Sequence, residues 1–247
     1  MKCDEIIYST IKIETDTGEG TGFLIDFDNN EGHEALFIIT NKHVIKNADS
    51  FKTFLTVRTN TKKTDVVPHW VYLNNHRVFS SDEYDLCAIY FQSDNDILRA
   101  NGKTLLNSVL KISDICFQDD FENMSNTTSV LVVGYPNAFI DKPNNLPMAR
   151  KGITSTPLFS SFDGKNEFVV DAGVWSGNSG SPVFVEISNI CKLVGIIYKS
   201  KNAYPELVLL GCEKAEGIVE IPIGLGIAIK SYELLPLWEE AGKKIRR

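Results

Sequence analysis

Short hydrophobic runs separated by turn residues dominate the chain, and most of these runs have the pattern of β-strands. Some alternate β-branched with polar residues, as expected of a sheet with one buried face, and others are continuously apolar. We predict strands over residues 6–14, 21–27, 35–40, 86–91, 129–134, 149–156, 167–172, 182–187, 192–198 and 225–229. Many short strands with turn signals between them indicate a β-sandwich or a β-barrel.

Other stretches lack this pattern. Residues 93–126 are polar with leucines at irregular spacing, which predicts a short helix and a crossover between two halves of the chain. Asn, Pro and Gly predict a turn at 29–32 and a loop over 141–147. Residues 231–247 carry apolar residues at helical spacing, namely Leu234, Leu235, Trp238 and Ala241. They predict a C-terminal helix.

Length and charge narrow the class of protein. The chain has 247 residues, 43% of them hydrophobic, which is enough for one large domain or two small ones. The formal net charge of −7 argues against a nucleic-acid partner. The sequence shows no apolar secretory segment at its start and no run of apolar residues long enough to span a membrane. We therefore expect a cytoplasmic protein without a membrane partner.

The cysteines and most histidines indicate no cofactor. The five cysteines are an odd number and none has a metal-binding spacing, so we expect reduced, mostly buried thiols. A Cys191–Cys212 bridge in an exported form stays open as an alternative. His33, His69 and His76 lie in turns or polar stretches and share no ligand spacing with each other or with the cysteines. We predict no metal site and no other cofactor.

The strongest local motif is Gly177-Asn178-Ser179-Gly180-Ser181-Pro182. A nucleophilic serine needs an exposed hydroxyl and nearby backbone N–H groups, and flanking glycines allow the tight turn that provides both. An ordinary polar turn has a similar composition, so this motif alone does not decide the chemistry.

Two further segments supply candidate partners for Ser179. The apolar run 36–40 leads directly to His43, a candidate general base, and the acidic turn that ends at Asp85 precedes the apolar run 86–91. A half-buried structural histidine and a surface turn are the alternatives. The chain order His, Asp, Ser is that of chymotrypsin-type triads. An α/β-hydrolase esterase is disfavoured, because its elbow would need Gly where Ser181 stands.

These motifs resemble those of trypsin-like serine peptidases of the bacterial type. The segments around His43, Asp85 and Ser179 match in order, and further matches lie at 20–24, 133–136, 150–155 and 224–228. The resemblance implies an all-β fold with two six-stranded antiparallel β-barrels and a C-terminal helix. The implied domains are 1–115 with His43 and Asp85, 116–230 with Ser179, and the helix 231–247.

The resemblance also implies a serine endopeptidase. Ser179 would be the nucleophile that forms an acyl-enzyme, His43 the general base, and Asp85 the group that orients His43. The backbone N–H groups of Gly177 and Ser179 would form the oxyanion hole. The partner would be a protein or peptide substrate.

The same resemblance points to the substrate-binding residues. Gly173 takes the place of the acidic pocket floor of trypsin, so we expect a neutral, small or apolar preferred side chain. The other implied substrate-binding residues are Trp175, Ser176, Tyr198, Lys199, Ser200 and Gly226.

Regulation is left open by the sequence. Asn178 stands where animal relatives carry an aspartate that pairs with a newly cut N-terminus, so activation by that ion pair is not expected. A latent or inactive protease-fold module that binds peptides, or that needs an activating partner, is the alternative to a constitutive enzyme.

Overall fold

The computed structural model describes residues 1–27, 35–61, 63–139, 141, 143–204 and 221–245, so the turn predicted at 29–32 lies outside the described residues. The described strands are β1 (Thr10–Thr15), β2 (Gly18–Asp26), β3 (Leu36–Thr40), β4 (Ser50–Thr59), β5 (Thr64–Tyr72), β6 (Val78–Ser80), β7 (Cys87–Tyr90), β8 (Lys103–Leu105), β9 (Leu110–Lys111), β10 (Ser129–Gly134), β11 (Met148–Thr154), β12 (Glu167–Asp171), β13 (Pro182–Ile187), β14 (Ile190–Ala203) and β15 (Ile221–Lys230). The described α-helices are α1 (Gln92–Ala100), α2 (Gln118–Glu122) and α3 (Leu235–Ile245).

The C-terminal half is a closed barrel. Its six strands are hydrogen-bonded in the order β10-β11-β12-β15-β14-β13, and every neighbouring pair is antiparallel. Alternate side chains point inward and form a buried cluster that includes Phe168, Val170, Val183 and Val194. The prediction of an antiparallel six-stranded barrel is confirmed for this half.

The N-terminal half has more strands than predicted. Its sheet has nine strands, with β5-β4-β1-β2-β3-β7-β6 in one path, β8 paired to β4, and β9 paired parallel to β2. The strand pairs of the described residues run from β5 to β6 without a pair that joins the two ends. The predicted number of six strands is therefore wrong for this half. Its closure into a barrel stays a prediction, and so does the division of the chain into domains after residue 115.

Strands β4 to β6 were not assigned from the sequence. In β4, buried and less buried residues alternate, and Phe51, Thr53, Leu55 and Val57 face the core. This period of two is the signal that identifies a half-buried strand. A long antiparallel register with β5, from Ser50–Tyr72 to Arg58–Thr64, then fixes the hairpin.

The first predicted strand begins too early. Residues Cys3–Ser9 form a 3-10 helix, and only Thr10–Thr15 continue as β1. The hydroxyl of Ser9 donates to the carbonyl of Ile6 at 2.7 Å and closes the last turn of this helix. Local hydrogen bonds of this kind compete with the strand pairing that β-branched residues otherwise favour.

A disulfide corrects the expectation of reduced thiols. Cys3 is bonded to Cys191 of β14, with 5.0 Å between the two Cα atoms, so the N-terminal 3-10 helix is tied to the C-terminal barrel. The alternative Cys191–Cys212 bridge is also wrong, because Cys191 is already paired, and Cys212 lies outside the described residues. Cys87 and Cys116 are free and buried, as expected. The cytoplasmic location stays a prediction.

The helices agree with the sequence pattern. Helix α1 lies where a short helix was expected before the crossover, and the C-terminal segment forms a 3-10 turn, Ser231–Leu234, followed by α3. Leu234, Leu237 and Ala241 are buried in a cluster that also contains Phe37 and Phe184 from the two halves of the chain. Among the described residues, no helix has the length and apolar character that crossing a bilayer requires.

Candidate active site

Strand register brings His43 and Asp85 together. β3 and β7 are antiparallel neighbours, and Thr40 pairs with Cys87. His43 follows β3 in the 3-10 turn Lys42–Ile45, and Asp85 lies two residues before Cys87. Two side chains that are distant in sequence therefore meet at the same end of two paired strands.

The contact between these two side chains fixes the imidazole. His43 Nδ1 lies 2.5 Å from Asp85 Oδ2, and the backbone N–H of His43 donates to Asp85 Oδ1 at 3.1 Å. The carboxylate accepts from Nδ1–H, which leaves the lone pair on Nε2, and Nε2 has no partner among the described residues. The side chain of His43 is 45% exposed, so this nitrogen belongs to an accessible ring.

Burial alone would raise the pKa of Asp85. Hydrogen bonds from the ring and backbone of His43 and from the backbone of Lys42 outweigh this effect, and the pKa of Asp85 lies below its usual value. Asn41 adds support by donating from its side-chain amide to the carbonyl of Asp85 at 2.7 Å. Asp85 is therefore ionised at neutral pH.

The turn that carries Ser179 requires glycine on both sides. Gly177 and Gly180 have φ values of +87° and +86°, which other residues rarely adopt. A side chain at Gly177 would also collide with the carbonyl oxygen of Tyr135, and one at Gly180 with that of Thr21. The Gly-Asn-Ser-Gly motif is thus explained by backbone conformation and close packing.

Most peptide groups of this turn are hydrogen-bonded. The carbonyls of Ser176 and Gly177 accept from Asn137 N at 2.7 Å and from Thr21 Oγ1 at 2.8 Å, and Ser179 O accepts from Thr21 N at 2.8 Å. The remaining bonds are Asn178 N to Trp175 O at 3.2 Å, Ser181 N to Asn178 O at 2.9 Å and Gly180 N to Ile197 O at 2.8 Å.

Three donors in this turn have no acceptor among the described residues, namely the N–H groups of Ser176, Gly177 and Ser179. Ser176 is exposed, whereas Gly177 is buried and Ser179 is only partly exposed. The Ser176 carbonyl is held by Asn137, so the N–H of the same trans peptide, which belongs to Gly177, points the opposite way. Unpaired donors are unusual where the backbone is buried, as it is at Gly177.

The two halves of the chain meet at this turn. Thr21 of β2 contacts Gly177 and Ser179 through the bonds given above, and the Thr40 hydroxyl, three residues before His43, donates to Thr21 O at 2.8 Å. Ser179 is partly exposed. Its hydroxyl makes no hydrogen bond with His43 in this structure.

A cavity of about 500 Å³ lies beside Ser179. Its described lining residues are Val174, Trp175, Ser176, Ser179, Ile197, Tyr198, Lys199, Ser200, Asn202 and Pro222. Five of the predicted substrate-binding residues line this cavity with Ser179, together with Val174, Ile197, Asn202 and Pro222. Lys199 is the one charged side chain among these described residues.

The other two predicted substrate-binding residues, Gly173 and Gly226, are not among these lining residues. A side chain at Gly226 would collide with Val174, so Gly226 allows β15 to pack closely there. The carbonyl of Gly173 accepts a hydrogen bond from the guanidinium of Arg150, on β11. Arg150 was not predicted from the sequence, because nothing in its local pattern distinguishes it from a surface cation of a strand.

Tyr198 is fixed at the edge of the cavity. Its hydroxyl donates to Glu167 Oε2 at 2.9 Å. Burial and the hydrogen bond with the Glu167 carboxylate raise the pKa of Tyr198 well above its usual value. The phenol therefore stays neutral at the edge of strand β14. Across the described part of the chain, no group of three or more His, Cys, Asp or Glu residues is arranged to hold a metal ion.

Comparisons with solved structures show the fold. An HtrA-type protease, AlgW, solved with a tripeptide, is 15% identical with a TM-score of 0.55, over 98% of this chain and 62% of its own. The inactive form of a serine-to-alanine mutant of Rv3671c from M. tuberculosis H37Rv is 15% identical with a TM-score of 0.51, over 96% of this chain and 88% of its own. No curated protein sequence matches the chain.

A family comparison covers most of the chain. The model of the trypsin-like peptidase domain matches residues 20–196, a range that includes His43, Asp85 and Ser179. The resemblance seen in the sequence motifs is confirmed, and the chain belongs to the trypsin-like peptidase family.

Proposed function

We propose that the protein is a serine endopeptidase that uses Ser179, His43 and Asp85 as a catalytic triad. The observation that carries this proposal is the pair of unpaired N–H groups, of Gly177 and Ser179, on the turn that presents the Ser179 hydroxyl. A structural turn has no need of two free donors, whereas a nucleophile turn requires them for the oxyanion.

In the proposed mechanism, Ser179 Oγ attacks the peptide carbonyl and its proton moves to His43 Nε2. The new oxyanion accepts hydrogen bonds from the N–H groups of Gly177 and Ser179. The C–N bond then breaks, and His43 returns the proton to the leaving amine. Water, activated by His43, hydrolyses the acyl-enzyme in the same way and restores Ser179. Asp85 holds the ring and stabilises the imidazolium.

The substrate would bind as an extended strand. Tyr198, Lys199 and Ser200 lie where β14 borders the cavity, and the register of β14 with β15 shifts near Lys199. Strand addition at such an edge uses backbone hydrogen bonds for affinity and side-chain pockets for selectivity. Val174 and the neutral serines of the lining favour a small or apolar side chain at the cleavage site.

The test is labelling with a fluorescent fluorophosphonate. We expect the native chain to be labelled, and Ser179→Ala and His43→Ala to lose labelling, because the probe reacts only with an activated serine. Ser125→Ala is the matched control, since Ser125 is exposed and lies in a different loop. Equal labelling of native chain and Ser179→Ala would show that the probe reacts elsewhere and would contradict the proposal.

A latent form of the same site is the second candidate. It is favoured by one observation, the lack of a hydrogen bond between the Ser179 hydroxyl and His43. In this case, the native chain would be unlabelled alone and labelled after addition of an activating partner or a substrate peptide. A native chain that is labelled at once, without additions, would exclude latency.

A further inference from the structure

Thr21 connects the N-terminal half of the chain with the nucleophile turn. It lies on β2, inside the early Gly-Thr-Gly-Phe-Leu motif, and its side chain is fully buried. The sequence motif suggested no role for it. In the structure, it makes two hydrogen bonds to the nucleophile turn, whereas the described contacts of His43 and Asp85 include none to this turn.

The hydroxyl of Thr21 joins two segments. It donates to the carbonyl of Gly177 at 2.8 Å and accepts from the N–H of Tyr135 at 3.2 Å. The backbone N–H of Thr21 donates to Ser179 O at 2.8 Å. One residue therefore holds the carbonyls on both sides of Asn178.

These bonds determine where the two free donors point. In the peptide group that follows Gly177, the oxygen accepts from the Thr21 hydroxyl and the N–H donates to Trp175 O. In the peptide group that follows Ser179, the oxygen accepts from Thr21 N and the N–H donates to Ile197 O. The peptide that carries the Ser179 N–H lies between these two fixed groups. It has little freedom to rotate.

The second donor is held through a neighbouring segment. The Gly177 N–H is oriented by the bond from Asn137 N to Ser176 O, at 2.7 Å. Asn137 has φ +47° and ψ +41°, a left-handed conformation that turns its N–H toward the nucleophile turn. Tyr135, two residues earlier, is anchored to the Thr21 hydroxyl.

We propose that Thr21 is a positioning residue whose hydroxyl sets the orientation of the Gly177 and Ser179 N–H groups, and hence the strength of the oxyanion site. This inference rests on the proposed function, because it gives the hydroxyl a role in the same reaction. Valine has nearly the shape of threonine but would leave Gly177 O and Tyr135 N buried without partners. Such groups find new partners by moving, which would rotate the turn.

The chain offers a matched control. Thr53 of β4 is also fully buried, and its hydroxyl has no partner among the described residues. Thr53→Val therefore removes the same group from a buried strand without breaking a hydrogen bond. Thr21→Ser keeps the hydroxyl and provides the rescue.

The experiment compares the rate constant of fluorophosphonate labelling across the neutral pH range. We expect Thr21→Val to lower this rate on the order of 10²-fold, since a misplaced oxyanion donor costs about that factor. Thr21→Ser and Thr53→Val should stay within a few-fold of the native chain. The pH midpoint should not move in any variant, because His43 and Asp85 are untouched. If Thr21→Val is labelled at the same rate as Thr53→Val, the inference is overturned.

A structural readout separates this inference from the proposed function. The amide ¹H–¹⁵N signals of Gly177 and Ser179 should shift in Thr21→Val and stay in place in Thr53→Val, whether or not the native chain is labelled. If the native chain is not labelled but the signals do shift in Thr21→Val, the proposed function is contradicted and the role of Thr21 stands. Unchanged signals in Thr21→Val would overturn the role of Thr21. Thr21→Ala serves the same comparison if Thr21→Val does not fold.

Discussion

The described residues of the N-terminal half include two arrangements of histidine with aspartate, and these differ in their access to solvent. At one, His43 meets Asp85 at the end of β3 and β7, and the two side chains are 45% and 27% exposed. At the other, Asp94 of α1 lies between two histidines, with Oδ1 at 2.7 Å from His69 Nε2 and Oδ2 at 2.5 Å from His76 Nε2. There, Asp94 is 11% exposed and His76 8%.

The ring nitrogens show a second difference. His43 uses Nδ1 for Asp85, and its Nε2 has no partner among the described residues. His76 presents Nε2 to Asp94 and Nδ1 to the carbonyl of Tyr72, at 2.6 Å. Both ring nitrogens of His76 are therefore engaged in hydrogen bonds, and neither is left without a partner.

A short His–Asp contact therefore does not by itself indicate catalysis. One carboxylate that serves one accessible ring produces an oriented base, whereas one carboxylate shared by two enclosed rings ties elements together. Asp94 joins α1 to β5, which carries His69, and to the 3-10 turn before His76. We therefore assign a structural role to the cluster of Asp94, His69 and His76.

The largest expected effect separates the two aspartates by activity. Asp85→Asn should lower the labelling rate by roughly 10⁴-fold, because an amide favours the wrong tautomer of His43, the loss seen when the triad aspartate of trypsin is replaced. The free energy of unfolding should change by less than about 1 kcal/mol, since the pair is accessible to water. Asp94→Asn should keep the native labelling rate. Equal losses in both variants would contradict the assignment of different roles.

The next effect separates them by stability. Asp94→Asn replaces the ionic acceptor of two partly buried histidines. Hydrogen bonds to charged groups contribute about 1.5–3 kcal/mol each. We expect the free energy of unfolding, measured in urea, to fall by about 2–4 kcal/mol, since neighbouring bonds are not additive. Asp96→Asn is the control on the same helix, because its carboxylate is exposed and accepts a hydrogen bond from the side chain of Gln92 rather than from a histidine. A loss no larger than that of Asp96→Asn would contradict the structural role.

The accessible His–Asp pair can be picked out from the sequence, whereas the pair of His69 with Asp94 cannot, for a physical reason. His43 and Asp85 each stand next to a strand pattern, and with Ser179 in its glycine-rich motif they follow an order that is recognisable as that of a triad. His69 of β5 and Asp94 of α1 meet through a side-chain contact between residues 25 positions apart, and no local pattern encodes that contact.

Other contacts that were missed are long-range in the same way. The Cys3–Cys191 bond joins residues 188 positions apart, and spacing cannot indicate such a pair. The hydroxyl of Thr21 reaches Gly177 across 156 positions. By contrast, the strands of the closed barrel follow from local alternation, and six of the predicted runs coincide with β10 to β15. Residues that act through a tertiary contact need the structure, whereas residues at a strand end can be predicted.

The smallest effect concerns how the stability contributed by the cluster of Asp94, His69 and His76 depends on pH. Burial would raise the pKa of Asp94, but hydrogen bonds from His69 and His76 outweigh it, and its pKa lies below the usual 3.8. An aspartate with a lowered folded-state pKa stabilises the protein above its unfolded value and loses this contribution as the pH falls through the folded value. The stability difference between the native chain and Asp94→Asn should therefore be full at neutral pH and shrink below about pH 4. Urea unfolding at a series of acidic pH values measures it, with Asp96→Asn as the reference. A difference that stays constant into strong acid would mean that Asp94 stabilises the fold by packing rather than by its charge.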